Sequence, residues 1–319
     1  LIALGDAPAS AGAPIVGARP RLRLWRTALA GDAAARDSAL AWLAARPPGT
    51  RLGVLWRLGT HQPGSPLLPA IGALTARLDE PPLRAWAHMV RADALAAAGR
   101  FAAADSALAP ALRDAPLRVL EIRAHWATLP FRDLPRAERE AARAALAAHT
   151  PAVDPEPINP PFVEHPQGTA WLPRAYLLGV LDAVLGNAAG AERAAARLDA
   201  WPGPDAARRY ARSLAAGVRA RLAWERGRAA EALAWLERGG LEVSRDYTPV
   251  HLGTQVPERW LRAEALRALG RDDEAYGWYA SVAELSPHEG VYRAPAALAI
   301  ARLVARREDR AGAAPRGER

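Results

Sequence analysis

Glycine and proline recur in this chain at a fixed interval. Gly31 is followed by Pro48, Gly99 by Pro116 and Gly270 by Pro287, each 17 residues later, and Gly31 stands 68 residues before Gly99, twice 34. A glycine takes the left-handed turn that ends a helix, and a proline cannot sit inside a helix but opens one well, so this punctuation describes helical hairpins laid end to end. Composition agrees: 78 of 319 residues are Ala, the best helix former and a poor strand residue, which excludes an all-β fold. Helical pieces such as Leu83–Ala98, Tyr210–Arg226 and Val256–Leu269 each stop at a Gly. Periods of roughly 20–50 residues mark repeat architectures, and because the pieces between the breaks are helical, the expected fold is all-α.

The register can be read residue by residue. Ala92, Leu95, Gly99, Arg100, Ala104, Leu108, Ala111 and Pro116 recur as Ala263, Leu266, Gly270, Arg271, Ala275, Tyr279, Val282 and Pro287. Partial copies run through Ala220, Gly227, Ala232 and Leu236, and through Gly179, Gly186, Ala191 and Leu198. These residues resemble the tetratricopeptide repeat, a helix–turn–helix unit of 34 residues, over 84–117 and 255–288 above all. The resemblance implies a TPR-like array of about six antiparallel helix pairs in a right-handed α-solenoid. It implies small residues where helices touch, as close crossing requires. The chain departs from the family where a Trp is usual, carrying Ala175, Ala216, His88 and Arg259, and where a Leu is usual, carrying Arg91, Arg219 and Arg262. The stretches 260–279 (Trp260 to Tyr279) and 175–186 (Ala175 to Gly186) also resemble the C-terminal repeat region of large bacterial signalling proteins, in which helical repeats follow a Ser/Thr kinase or transcriptional-activator module; the resemblance covers about the last 150 residues and implies an upstream effector domain.

Breaks in the pattern divide the chain. Residues 1–20 read as a linker and 21–149 as an N-terminal set of TPR-like repeats. Residues 150–167, with six prolines, read as an extended connection, 168–307 as a C-terminal set and 308–319 as a disordered tail. No apolar run is long enough for a membrane span, and the cytoplasm is the expected compartment.

Several chemistries are excluded outright. All 42 basic residues are Arg, so no Walker-A, kinase-strand or Schiff-base lysine exists, and without Cys there is no disulfide or thiol nucleophile. The seven histidines (61, 88, 125, 149, 165, 251, 288) never fall at i, i+3 or i, i+4, so no metal site and no cofactor is expected. Glu164-His165 in the Pro-rich break is the one acid–base pair to consider, and a solvated loop is the simpler account of it. The net charge of +8 is concentrated in the first half, densest at Arg19, Arg21, Arg23 and Arg26, which keeps nucleic-acid binding through this patch as an alternative.

Eleven of the 20 aromatic residues are Trp, the residue most favoured in binding hot spots. Trp42, Trp56, Trp126, Trp235 and Trp278 lie among Ala and Leu at helical spacing and read as core. In the tetratricopeptide-like register, the positions that line the concave groove fall on Trp86, Met89 and Asp93, on Tyr176, on Arg221 and Trp224 with Glu225, and on Trp260, Glu264 and Arg267. Rings supply contact area and Arg grips carboxylates, a combination suited to a protein or peptide segment; the competing account is that Trp86 and Trp260 merely cover a helix seam. The expected function is a non-catalytic protein–protein interaction module, a scaffold or sensor region within a larger protein.

Overall fold

The computed structural model describes residues 32–47, 81–149, 171–241, 252–282 and 285–313, together with Thr169 and single positions between 51 and 72. Among them are twelve α-helices and no strand. They are α1 (Ala33–Ala44), α2 (Pro81–Ala97), α3 (Phe101–Leu108), α4 (Pro116–Thr128), α5 (Arg136–Ala148), α6 (Leu172–Val184), α7 (Ala188–Asp199), α8 (Asp205–Glu225), α9 (Ala229–Gly239), α10 (Val256–Ala268), α11 (Asp272–Ser281) and α12 (Arg293–Ala313). Two 3₁₀ turns, Ala109–Leu112 and Pro287–Tyr292, complete the order. The fold is all-α. Helix α12 continues to Ala313, into the stretch read as tail, whereas the linker and the Pro-rich connection lie outside the described residues.

One local device makes four of the hairpins. Gly99, Gly186, Gly227 and Gly270 have φ of 74°, 79°, 73° and 75°. In each case the residue after the glycine donates its amide to the carbonyl five residues back: Arg100 to Leu95, Asn187 to Asp182, Arg228 to Ala223 and Arg271 to Leu266, at 2.8–3.0 Å. These bonds satisfy carbonyls that a helix end would leave orphaned, and they turn the chain into the next helix within two residues. Pro116 then opens α4, and Pro287 opens the second 3₁₀ turn. The repeat as folded is not uniform, however. Gly186, Gly227 and Gly270 are 41 and 43 residues apart instead of 34, because α8 runs for 21 residues and a connection separates α9 from α10.

Consecutive helices pack in pairs, α2 with α3, α4 with α5, α6 with α7, α8 with α9 and α10 with α11. The first helices of successive pairs also touch, α4 with α6, α6 with α8 and α8 with α10, so they form a row against which the second helices stack. Small residues make this spacing possible. A Cβ on Gly179 would lie 2.9 Å from Ala194 Cβ and from both Val218 methyls, and Ala92, Ala104, Ala191, Ala263 and Ala275 are wholly buried. A bidentate Arg143–Asp182 pair (2.6 and 2.9 Å) ties α5 to α6.

The array is also closed upon itself. The Pro287–Tyr292 turn packs along α2, almost 200 residues earlier in the chain, with Gly290 seated on Ala97 and His288 Nδ1 2.5 Å from Asp93 Oδ2. Arg259 of α10 pairs with Glu289, and His125 Nε2 of α4 meets the Tyr292 hydroxyl at 3.0 Å. One apolar core therefore joins α1–α4 to α10–α12, and a second fills the space between α4 and α8. The charged groups of that closure meet one another, Asp93 with His288 and Arg259 with Glu289, as low-dielectric burial favours.

Candidate functional site

The row of first helices opens onto one narrow cleft, and each helix contributes to it from a single face. Helix α6 presents Tyr176 and Val180, and α8 presents Gly217 and Arg221, both one turn apart; α10 presents Glu258 and Leu261. Thr128 ends α4 at the cleft wall, Pro130 follows it, and Trp260 and Tyr292 close the far side. Beside it, the half-exposed Phe131 sets its ring edge-to-face against Trp260 (5.4 Å) and Tyr292 (5.3 Å).

Glu258 is the chemically distinctive member. It occupies the third position of α10, where a carboxylate ordinarily benefits from the helix dipole. The preceding turn fixes the place at which this helix starts. The Tyr210 hydroxyl of α8 donates to the Leu252 carbonyl (3.2 Å), and Gln255, held at φ 50°, donates from Nε2 to Ser213 Oγ at 2.7 Å. The Glu258 carboxyl lies against Gly217, where a Cβ would come within 2.4 Å of Oε1. Its residue is 3% exposed, and the Tyr176 phenol faces the carboxyl. Burial pushes its pKa up from 4.5 to about 7, held back by the facing Tyr176 phenol, by its own backbone amide and by Arg259. Burial likewise raises the Tyr176 phenol well above its ordinary value, and the Glu258 charge adds to this.

Of the ten residues placed in a groove by the sequence register, Glu225 pairs with Arg221 and the other nine separate into three groups. Tyr176, Arg221 and Trp260 meet in the cleft. Trp86, Met89 and Asp93 of α2 are buried, because the Pro287–Tyr292 turn occupies the surface on that side; Asp93 is spent on His288. Trp224 packs half-buried beside Ala220, Leu236 and Leu261, while Glu264 is bound by Arg267 (2.7 Å) and by the Tyr279 hydroxyl. Trp260 and Tyr176, though cleft residues, expose only 7% and 3%, so each shows an edge and not a face. For Trp86 the seam-covering account is the one that its burial fits. Arg19, Arg21, Arg23, Arg26, Glu164 and His165 lie outside the described residues.

Sequence reasoning missed Glu258, Gly217 and Tyr292. An acid in the first turn of a helix reads as an ordinary dipole partner, so Glu258 carried no signal. Gly217 did carry one: a lone Gly inside a 21-residue helix costs about 1 kcal/mol relative to Ala, and marks a close approach. Among the described residues, no three His, Asp or Glu side chains converge as a metal site would require, and no helix is long and apolar enough to cross a membrane. Comparison with family models, with curated proteins and with solved structures finds no match to this chain.

Proposed function

We propose that the chain is a non-catalytic protein-interaction module of TPR-like helix pairs, which seats a segment of a partner protein in the cleft between α4, α6, α8 and α10. One observation carries the reading: side chains from four helices that are distant in sequence converge on a single cleft that combines aromatic edges, a rim arginine and a buried carboxyl. Such a mixture of apolar wall and few, fixed polar groups is what orients a peptide side chain. Its place in a larger signalling protein rests on the sequence resemblance alone. The nucleic-acid alternative rests on Arg19, Arg21, Arg23 and Arg26, which lie outside the described residues.

The test is selection from a random peptide library displayed on phage, with the purified chain as bait. Enrichment of a sequence motif, weakened about tenfold by Arg221→Ala and unaffected by Arg228→Ala on the outer surface, is the expected result. Selection of no motif, or equal loss in both variants, would overturn the assignment.

A further inference from the structure

The cleft admits a group no larger than a water molecule, so a peptide segment enters only when one of its walls moves aside. Four of those walls are helices flanked by other helices: α4 by α5 and α6, α6 by α7 and α8, α8 by α9 and α10, and α10 by α9 and α11. Tyr292 is the exception. It ends the Pro287–Tyr292 turn, which lies against α2 and α12. The same short turn therefore serves two surfaces, with His288 and Gly290 seated on α2 and Tyr292 standing in the cleft.

Its attachments are of a kind that another segment can reproduce. His288 meets Asp93, Glu289 pairs with Arg259 and accepts from the Leu285 amide at 3.1 Å, and the Tyr292 hydroxyl meets His125. Gly290 brings backbone and no side chain onto Ala97. Polar contacts like these exchange for those of an incoming chain more readily than interlocked apolar helix seams do. What the turn covers on α2 is Trp86, Met89 and Asp93, the residues that the repeat register assigns to the groove. A segment of the chain itself thus lies where a ligand of the groove would lie.

We propose that the Pro287–Tyr292 turn is an autoinhibitory strap, which occupies in cis the seat of the partner segment between α2 and the cleft, and which that segment displaces on binding. This rests on the interaction-module reading and adds its regulation. The strap also describes its competitor: a hydrogen-bond donor for Asp93, followed at once by a carboxylate for Arg259 and a small residue over Ala97, as His288, Glu289 and Gly290 supply. Affinity for the closed chain is then lower than the intrinsic affinity by the fraction of molecules whose strap is open.

The chain has no cysteine, so the strap can be locked by a single disulfide. A Cβ on Gly290 would stand 2.9 Å from that of Ala97, about 1 Å short of the usual separation across a disulfide, and Ala97→Cys with Gly290→Cys joins them. Gly290→Val loosens the strap, and His288→Ala replaces it where the larger residue prevents folding. A fluorescent peptide spanning residues 285–293 is titrated against each form by anisotropy, and the peptides selected from the phage library are added as competitors. The strap peptide should bind the loosened chain saturably, the wild type at least about tenfold more weakly and the oxidised double variant not at all, with binding returning on reduction. Library peptides should compete with it and bind the loosened chain at least about fivefold more tightly than the wild type. Library peptides that bind the locked chain as tightly as the wild type would overturn the strap and leave the interaction module standing. So would a loosened chain of native helicity that does not bind the strap peptide. A library that yields no motif on either the wild type or the loosened chain would end the module reading, and the role of the strap with it.

Discussion

Two buried residues set opposite limits on the pH at which this molecule is most stable. Glu258 is protonated in folded and unfolded chains below pH 4.5; between 4.5 and about 7 the unfolded chain releases a proton that the folded chain keeps, so stability falls as pH rises through that window. His125 acts in the other direction. Burial, with a contribution from His288, lowers its pKa from 6.5 to about 3, so the folded chain refuses a proton that the unfolded chain takes up, and stability falls as pH drops from 6.5 toward 3. Glu258→Gln should therefore raise the melting temperature at pH 8 by an amount worth at most about 3 kcal/mol, and leave it nearly unchanged at pH 4. Thermal melts of both proteins at the two pH values check this; an equal difference at both would mean that ionisation of Glu258 is not the cause.

Among the elements, glycines do two different jobs, and substitution separates them. Gly186 ends α6 at φ 79° with open space where a Cβ would stand, so Gly186→Ala costs only backbone strain, about 1 kcal/mol. Gly179 lies inside the same helix with Ala194 and Val218 at contact distance, and Gly179→Ala must push α7 or α8 away at a cost of roughly 1–3 kcal/mol. Urea unfolding should rank Gly179→Ala as the more damaging, and the reverse order would refute the close packing of α6 on its neighbours. This difference also explains what the sequence could tell. The turn glycines were legible because helix ends obey local rules, and so were the all-α class and the pairing of helices across Gly99 and Gly270. The spacing was less so: α8 is long because Tyr210, Leu214 and Leu222 continue an apolar face for 21 residues, which a fixed period of 34 does not anticipate.

For the molecule as a whole, the decisive contacts join Asp93 to His288 and Gly290 to Ala97, residues that no local pattern connects. Helical periodicity tells which face of α2 turns inward, but not that the chain itself covers it, and the register therefore offers as a binding surface Trp86, Met89 and Asp93, which the fold buries. The cleft was half legible for a related reason: Tyr176, Arg221 and Trp260 sit on inward faces, whereas the state of Glu258 depends on Gly217, about 40 residues away. Gly290→Val should prise the Pro287–Tyr292 turn from α2. In hydrogen exchange, α2, α3 and the turn should lose protection, while α6–α8, which belong to the other core, keep theirs. Uniform loss across all helices would instead indicate a single cooperative unit.

Closure has a further consequence for how such a chain can change over generations. An open stack of helix pairs tolerates the duplication or deletion of a unit, because each unit meets only its neighbours and the ends are free. Here the last turn must return to α2, so the number of units and the rise contributed by each are fixed together. Adding or removing one pair would carry His288 away from Asp93 by about the thickness of a helix, 8–10 Å, far beyond the reach of a hydrogen bond. Relatives of this protein should therefore vary in their connections and outer helices, and hold the count of pairs constant.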